Sequence, residues 1–178
     1  PKMSPDMFTS IPYGGEPSDF KYLRNHPRAN LIWDSADQCK HLVYIGAMLP
    51  KAYDTLRAIL SACLELMEER QELTDILKLH FIGTTYEPNP EKGLVEPVAA
   101  ELGLSDLVVE HPARIPYLDA INLLCQSDGI VALGTTEHHY TASKILPSLL
   151  ANRPILAVYH VKSTVVEYVN EAGQGPVV

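Results

Sequence analysis

Short apolar runs alternate with amphipathic stretches along most of this chain. Five runs of three to six residues predict strands, at 42–45, 77–82, 107–109, 130–133 and 155–158. Between them, apolar residues recur at helical spacing, most clearly from Leu56 to Met67, which predicts helices. Val177 and Val178 read as the opening of a sixth strand. The alternation of strands and helices predicts an α/β fold, a Rossmann-like doubly wound parallel sheet of about six strands with helices on both faces.

The first forty residues lack this pattern. Proline, glycine and aspartate interrupt them repeatedly, which is typical of an extended segment, and one helical turn is predicted at 19–24. We therefore interpret residues 1–40 as a linker or lead-in and residues 41–178 as one domain. Because the predicted sixth strand is incomplete, we expect the domain to continue beyond Val178, so that the sequence is a fragment truncated at its C-terminus.

Three loops follow predicted strands and would meet at one edge of such a sheet, at residues 46–51, 83–86 and 134–144. Ligands of open α/β sheets bind beyond the carboxyl ends of the strands. In the last loop a helix is predicted to open at 142–144 and to end near Asn152, and free N–H groups at a helix N-terminus attract phosphate. Lys144 and Ser143 are therefore candidate phosphate ligands. The alternatives are a solvated first-turn lysine and a serine that caps the helix.

Composition narrows the class of partner. The chain has 178 residues, 46% of them hydrophobic, and a formal net charge of −8, which suits one globular domain and disfavours nucleic acid as a partner. Its apolar runs are too short for a transmembrane segment. The three cysteines, Cys39, Cys63 and Cys125, are widely spaced and form no Cys-x-x-Cys pair, so a reducing, cytoplasmic compartment is predicted.

Four stretches, taken in order, resemble the C-terminal, donor-binding half of a GT-B fold glycosyltransferase of the retaining kind. The first is a proline- and glycine-rich segment, Ile11–Phe20, and the second is the first strand with its glycine, Leu42–Gly46. The third leads into a later strand and comprises Arg114–Asp119 with Cys125–Ile130. The fourth runs from a Ser-Lys pair to an Arg-Pro pair, within Ala142–Pro154. Their order and spacing across nearly the whole chain, rather than any one motif, carry the resemblance.

The resemblance implies the donor site of an enzyme that transfers a sugar from a nucleotide. The donor would be a UDP- or GDP-linked hexose-type sugar, with no metal ion and no cofactor, and the acceptor is unknown. An N-terminal acceptor-binding domain, absent from this sequence, would complete the enzyme, so this part is expected to be inactive alone. Lys144 would be the catalytic residue, acting on the departing diphosphate, and the donor-binding residues would be Gly46, Lys51, Arg114, Ile115, Glu137, His139 and Ser143.

Two positions depart from the family pattern. Ala47 stands where many members have an arginine that contacts the diphosphate, and Lys51 matches a family lysine nearby. Pro147 stands where a ribose-binding glutamate is expected, with His139 at the place of a second glutamate and Glu137 close to it. These departures keep a second hypothesis open, a non-catalytic Rossmann-like binding or scaffold module descended from a glycosyltransferase. A dinucleotide oxidoreductase is disfavoured because no Gly-x-Gly-x-x-Gly follows the first strand.

Other polar side chains have weaker patterns. Glu137, His138 and His139 are adjacent, but neighbouring residues on a turn rarely converge on one metal ion, so no metal site is predicted. Tyr86 follows the second strand and is either a wall of the cleft or a surface tyrosine. The remaining histidines have no partner pattern and are interpreted as structural or solvent-facing: His26, His41, His80, His111 and His160.

Overall fold

A five-stranded sheet, parallel throughout, forms the centre of the part of the chain that the computed structural model describes, residues 14–178. Its strands, in the spatial order β3-β2-β1-β4-β5, are β1 (Lys40–Ile45), β2 (Leu77–Ile82), β3 (Val108–His111), β4 (Gly129–Leu133) and β5 (Ile155–Val158). The predicted α/β fold is confirmed. In place of a sixth strand, Val177 forms a single parallel bridge to Ala157 at the β5 edge. Positions 11–13 of the family-like first stretch lie outside the described residues.

Helices cover the sheet on both sides. Within the described residues they are α1 (Pro17–Asn25), α2 (Tyr53–Glu69), α3 (Leu73–Ile76), α4 (Glu96–Glu101), α5 (Tyr117–Gln126), α6 (Ile145–Leu150) and α7 (Thr164–Ala172). A 3-10 turn at Pro50–Ala52 leads directly into α2. None of the helices in this part of the chain is long and apolar enough to cross a membrane.

Two apolar cores, one on each face of the sheet, hold the layers together. Successive strand residues point to opposite faces. Val43 and Ile82 accordingly belong to the core that contains residues of α1, α5, α6 and α7. Tyr44 and Phe81 belong to the core that contains residues of α2 and α4. Burial on both faces explains why β4 and β5 read as continuous apolar runs in the sequence and why β1 and β2 are mainly apolar.

The segment predicted as a lead-in contributes to one of these cores. Residues 17–25 form a full helix rather than the single turn predicted there, and the Glu16 side chain caps it by accepting the N–H of Ser18 at 2.9 Å. Phe20 and Leu23 are buried in the core shared with α5. The helix is therefore an integral layer of the described structure.

The chain leaves β1 and β4, which are neighbours at the centre of the sheet, in opposite directions. From β1 it passes through α2 to β2 on one side, and from β4 it passes through α6 to β5 on the other. Such a reversal opens a crevice between the two strand ends, where open α/β sheets bind their ligands. Here the crevice lies between the loop that starts at Gly46 and the loop at residues 134–144.

A buried polar cluster joins the segment after α1 to β1 and β2, away from that crevice. His41 Nδ1 lies 2.8 Å from His80 Nε2, and His41 Nε2 lies 2.9 Å from Asp37 Oδ1. The Trp33 ring packs on both imidazoles, with centroid distances of 4.8 Å. When both rings are neutral, these contacts are satisfied with His41 donating from Nε2 to Asp37 and accepting at Nδ1 from His80 Nε2. Two histidines without a pattern in the sequence therefore form one structural unit.

Acid is expected to destabilise the protein through His80. Burial and the neighbouring His41 and His111 lower the pKa of His80 from 6.5 to about 4. The unfolded chain therefore binds a proton at a pH where the folded protein does not, and stability falls as the pH drops from 6.5 toward 4, by about 2 kcal/mol between pH 7 and pH 5. Urea unfolding at both pH values measures this loss. His80→Phe should flatten the pH dependence, whereas His26→Phe, at an exposed histidine, should retain it; an equal dependence in both variants would contradict the assignment.

Candidate functional site

Lys144 lies in the crevice between β1 and β4. It directly precedes α6, and its aliphatic stem lies against Gly46, the residue after β1. A Cβ atom at position 46 would lie 3.1 Å from Lys144 Cδ, and the φ of Gly46 is +135°, a conformation that residues with a side chain rarely adopt. Glycine after the first strand therefore allows the lysine to reach the edge of the sheet.

The Lys144 ammonium has neutral partners. It donates a hydrogen bond to the Tyr44 hydroxyl and lies 3.9 Å from the centre of the Tyr44 ring, and that hydroxyl donates to the Ala47 carbonyl at 2.9 Å. Among residues 14–178, no carboxylate forms an ion pair with this lysine. Burial lowers the pKa of Lys144 from 10.5 to about 7, because charging an ammonium away from water and without a counter-ion is unfavourable. An anion beside it would supply the missing counter-charge.

Two cavities open around this lysine. The inner cavity, of about 490 Å³, has largely aliphatic walls made by the sheet edge, α5 and α6, including Ile45, Ile82, Ile115, Ile121, Leu124 and Pro147. The outer cavity, of about 280 Å³, is bordered by Ala47, Leu49, Tyr86, Tyr140 and Ala142. Both cavities are also lined by Gly46, Arg114, Ser143 and Lys144. In the described chain, every charged side chain that lines either cavity is a cation, although the protein as a whole has a net charge of −8.

Arg114 borders both cavities from the loop before α5. Its backbone packs near Gly83, where a Cβ atom would lie 3.8 Å from Arg114 Cα. Its guanidinium lies over the Tyr86 ring, 4.5 Å from the ring centre, and the next residue, Ile115, lines the inner cavity. The structure thus brings five sequence-predicted residues to one place: Gly46, Arg114, Ile115, Ser143 and Lys144.

Three other predicted residues are not among those that line the two cavities. Lys51 and Glu137 form an ion pair with each other, and the lysine lowers the pKa of the Glu137 carboxyl. His139 Nε2 lies 3.9 Å from the same carboxylate. Within residues 14–178, no group of three or more histidine, cysteine, aspartate or glutamate side chains is arranged so that it could hold a metal ion. Glu137 and Lys51 were both predicted to bind the donor, and in the structure they bind each other.

The helix of the Ser-Lys stretch is shorter than predicted. It spans Ile145–Leu150, and the N-cap position falls on Lys144 without a capping side chain, so Ser143 is not the cap. Ser143 is instead exposed and lines both cavities. Pro147 lies in the first turn of the helix, where proline is tolerated, and it faces the inner cavity. The long helix N-terminus that the sequence predicted beside Lys144 is therefore absent from the described structure, and the ammonium is the charged group at this place.

A buried carboxylate that the sequence does not single out shapes the loop after β2. Glu110 of β3 accepts the N–H groups of Leu94, Val95 and Glu96 at 2.8 to 2.9 Å, and also the hydroxyl proton of Thr84. No capping side chain of its own precedes α4, so Glu110 satisfies the unpaired N–H groups of this helix start from a neighbouring strand. Nothing in the local sequence signals this contact.

Sequence reasoning also missed that Tyr44 holds the Lys144 ammonium with its hydroxyl and its ring. Tyr44 reads as an ordinary residue of the first strand, and it is 2% exposed in the structure. Its hydroxyl was the available signal, because a buried tyrosine hydroxyl needs a hydrogen-bond partner. The hydroxyl has two partners, the nearby Ala47 carbonyl and Lys144, which is 100 positions away in the sequence.

Comparison with known proteins finds likeness in fold. No family model and no curated protein matches the chain. Among solved structures, a glycosyltransferase from Rickettsia africae ESF-5 is similar, with a TM-score of 0.57, 15% identity and 90% of this chain covered. The GtfA/B complex is similar with a TM-score of 0.52, 10% identity and 79% coverage. Anabaena Alr3699/HepE, solved with UDP and glucose, is similar with a TM-score of 0.50, 14% identity and 87% coverage.

The similar structures are much longer than this chain. It covers 37% of the Rickettsia glycosyltransferase, 25% of the GtfA/B chain and 36% of the Anabaena protein. At these identities the likeness shows the fold alone, a Rossmann-like α/β domain that also occurs in glycosyltransferases.

Proposed function

We propose that this chain binds the nucleotide-sugar donor of a glycosyltransferase, as the C-terminal half of an enzyme of the GT-B type and the retaining kind. The donor carries a hexose-type sugar on UDP or GDP, and a separate N-terminal domain binds the acceptor. The fold shared with known glycosyltransferases and the order of the sequence motifs support this proposal. Lys144 is its catalytic residue, and the donor contacts lie at Gly46, Arg114, Ile115 and Ser143.

One observation carries the proposal, an ammonium without a counter-ion between two cavities. Lys144 and Arg114 line both cavities, and in the described chain no carboxylate lines either one. A nucleoside diphosphate sugar has the complementary shape, because its anionic diphosphate lies between two uncharged ends. Basic groups of this kind form strong, charge-assisted hydrogen bonds to phosphate oxygens.

Sugar transfer needs a positive charge beside the departing diphosphate. The acceptor oxygen bonds to the anomeric carbon and releases its proton to solvent, while the bond from that carbon to the diphosphate breaks and its electron pair stays on the phosphate oxygen. A cation already positioned beside that oxygen stabilises the transition state more than the ground state. Gly46 and Tyr44 fix the stem of Lys144 for this task.

Because the acceptor binds to another domain, residues 1–178 should bind donor without turnover, and steady sugar transfer by this chain alone would contradict that part of the proposal.

Calorimetric titration with UDP, GDP and the nucleoside uridine tests the proposal. We expect a nucleoside diphosphate to bind and uridine to bind far more weakly, because the diphosphate supplies the charge that Lys144 lacks. Circular dichroism confirms that the titrated protein is folded. If neither UDP nor GDP binds the folded protein, the proposed function is wrong.

The binding of UDP is expected to weaken as the pH rises above 7. The free protein loses its Lys144 proton near pH 7, whereas the diphosphate keeps the lysine charged in the complex, so binding takes up a proton at higher pH. The affinity should therefore fall about 10-fold between pH 7 and pH 8.5. Titrations in two buffers of different ionisation enthalpy measure the proton uptake directly. A constant affinity and no proton uptake would show that Lys144 does not face the diphosphate.

Pro147 favours a second candidate function. It lines the inner cavity and has no side-chain group that could bind the hydroxyls of a ribose. In a non-catalytic Rossmann-like binding or scaffold module, the fold would persist without donor binding. If this second candidate function is right, the folded protein should bind neither UDP nor GDP in the titration described above.

A further inference from the structure

We infer that the outer cavity is the subsite for the transferred sugar and that Tyr86 and Tyr140 form its walls. Tyr86 is then a specificity-determining residue that contacts the apolar face of the sugar ring. The inference rests on the proposed function and deepens it, since it assigns each cavity to one end of the donor.

The two cavities differ in size and in the chemistry of their walls. The inner cavity, about 490 Å³, is lined mainly by aliphatic side chains and has one tyrosine, Tyr117. The outer cavity, about 280 Å³, is smaller and has two tyrosines, Tyr86 and Tyr140, among fewer aliphatic side chains. Ser143 and Lys144 line both cavities. A nucleoside is the larger end of the donor and has a flat base with apolar faces. A hexose is smaller and is surrounded by hydroxyls. The nucleoside therefore suits the inner cavity, and the sugar suits the outer one.

Tyr86 is large and yet 71% exposed. The Arg114 guanidinium covers one face of its ring at 4.5 Å, which orients the ring and leaves the remainder of the side chain open. The C–H groups on one face of a pyranose pack well against an aromatic ring, and the tyrosine hydroxyl can bond to a sugar hydroxyl. An exposed ring that is held in place beside two cations is therefore a suitable platform for a sugar attached to a diphosphate.

Tyr140 is a fixed wall of the same cavity. Its ring stacks on that of Tyr159, with centroids 6.5 Å apart and an interplanar angle of 12°, and its carbonyl accepts the Ser163 hydroxyl at 2.9 Å. Burial raises the pKa of Tyr140, so its hydroxyl stays protonated and can donate to a sugar oxygen. The loop whose Glu137 and His139 were predicted to bind the donor contributes Tyr140 to this cavity instead.

The test compares UDP with UDP-linked sugars in the Tyr86→Ala variant. We expect the variant to bind UDP within about twofold of the parent and to bind the best of UDP-glucose, UDP-galactose and UDP-N-acetylglucosamine about 5- to 10-fold more weakly. Tyr86→Phe keeps the ring face and the contact with Arg114, so it should lose less of the affinity for the sugar nucleotide than Tyr86→Ala does. Tyr22→Ala, at an exposed tyrosine of α1 that stacks on His26, is the matched control and should change neither affinity.

The outcomes separate this inference from the proposed function. If UDP binds the parent and Tyr86→Ala weakens UDP and UDP-sugar equally, the nucleoside occupies the outer cavity and the inference is wrong while the proposed function stands. If UDP binds and Tyr86→Ala changes neither affinity, the inference is wrong as well. If neither UDP nor GDP binds the parent, both the proposed function and the inference fail.

Discussion

Replacing Lys144 by methionine is expected to weaken the binding of UDP roughly 10- to 100-fold. Methionine keeps an unbranched stem that can pack against Gly46 and Tyr44, and it removes the charge. A hydrogen bond to a charged group is worth about 1.5 to 3 kcal/mol, and each 1.4 kcal/mol corresponds to a tenfold change in affinity. Calorimetric titration of both proteins at pH 7 measures the difference. Equal affinities of the parent and the variant for UDP would show that Lys144 does not contact the nucleotide.

Lys51→Met is the matched control for this variant. Lys51 has a side chain that is 65% exposed and paired with Glu137, so its removal should change the UDP affinity by less than about threefold. The Lys144 variant should resist urea at least as well as the parent, because charging a half-buried lysine that has no counter-ion is unfavourable. A loss of binding together with a loss of stability would instead indicate damage to the fold.

Replacing Glu110 by glutamine is expected to lower the free energy of unfolding by about 3 kcal/mol. The carboxylate is 7% exposed and accepts three backbone N–H groups and one hydroxyl proton. A glutamine of the same shape presents an NH₂ group to some of these donors and leaves buried N–H groups without an acceptor. Urea unfolding measures the loss, and the melting temperature should fall by roughly 6 to 12 °C.

Glu101→Gln provides the comparison, at the end of α4, the helix whose start receives the capping contacts of Glu110. Glu101 pairs with Arg57 at 2.7 Å, and both side chains are exposed, by 60% and 47%. Surface pairs of this kind contribute at most about 1 kcal/mol, so this variant should be close to the parent in stability. If the two glutamine variants were equally stable, Glu110 would not have the capping role that its contacts indicate.

The strands were the most predictable part of the fold. The second and fifth have the predicted bounds, Leu77–Ile82 and Ile155–Val158. The fifth is a continuous apolar run and the second is apolar except at Lys78 and His80, because strands buried on both faces are rich in apolar residues, which is visible locally. Helix boundaries were less predictable. α1 extends beyond the predicted turn because Phe20 and Leu23 pack on α5, and that contact has no signal within the segment itself.

The place of the candidate site was also predictable, since the carboxyl ends of parallel strands meet at one edge of the sheet. Gly46 and Lys144 were expected there, and the family resemblance added Arg114; the structure brings the three together. The side-chain partners were not predictable. Glu137 was expected to face the ligand, and it pairs with Lys51 instead.

By itself, the sequence determined the alternation of strands and helices, the doubly wound parallel sheet and the loops at which a ligand would bind. These properties depend on periodicity and on turn residues, which are encoded by neighbours in the chain. Only the tertiary structure decided which side chains meet. Lys144 packs on Tyr44 across 100 positions, and Lys51 reaches Glu137 across 86, since β1 lies beside β4 in the sheet. That strand order results from the packing of both cores together, and no local pattern encodes it.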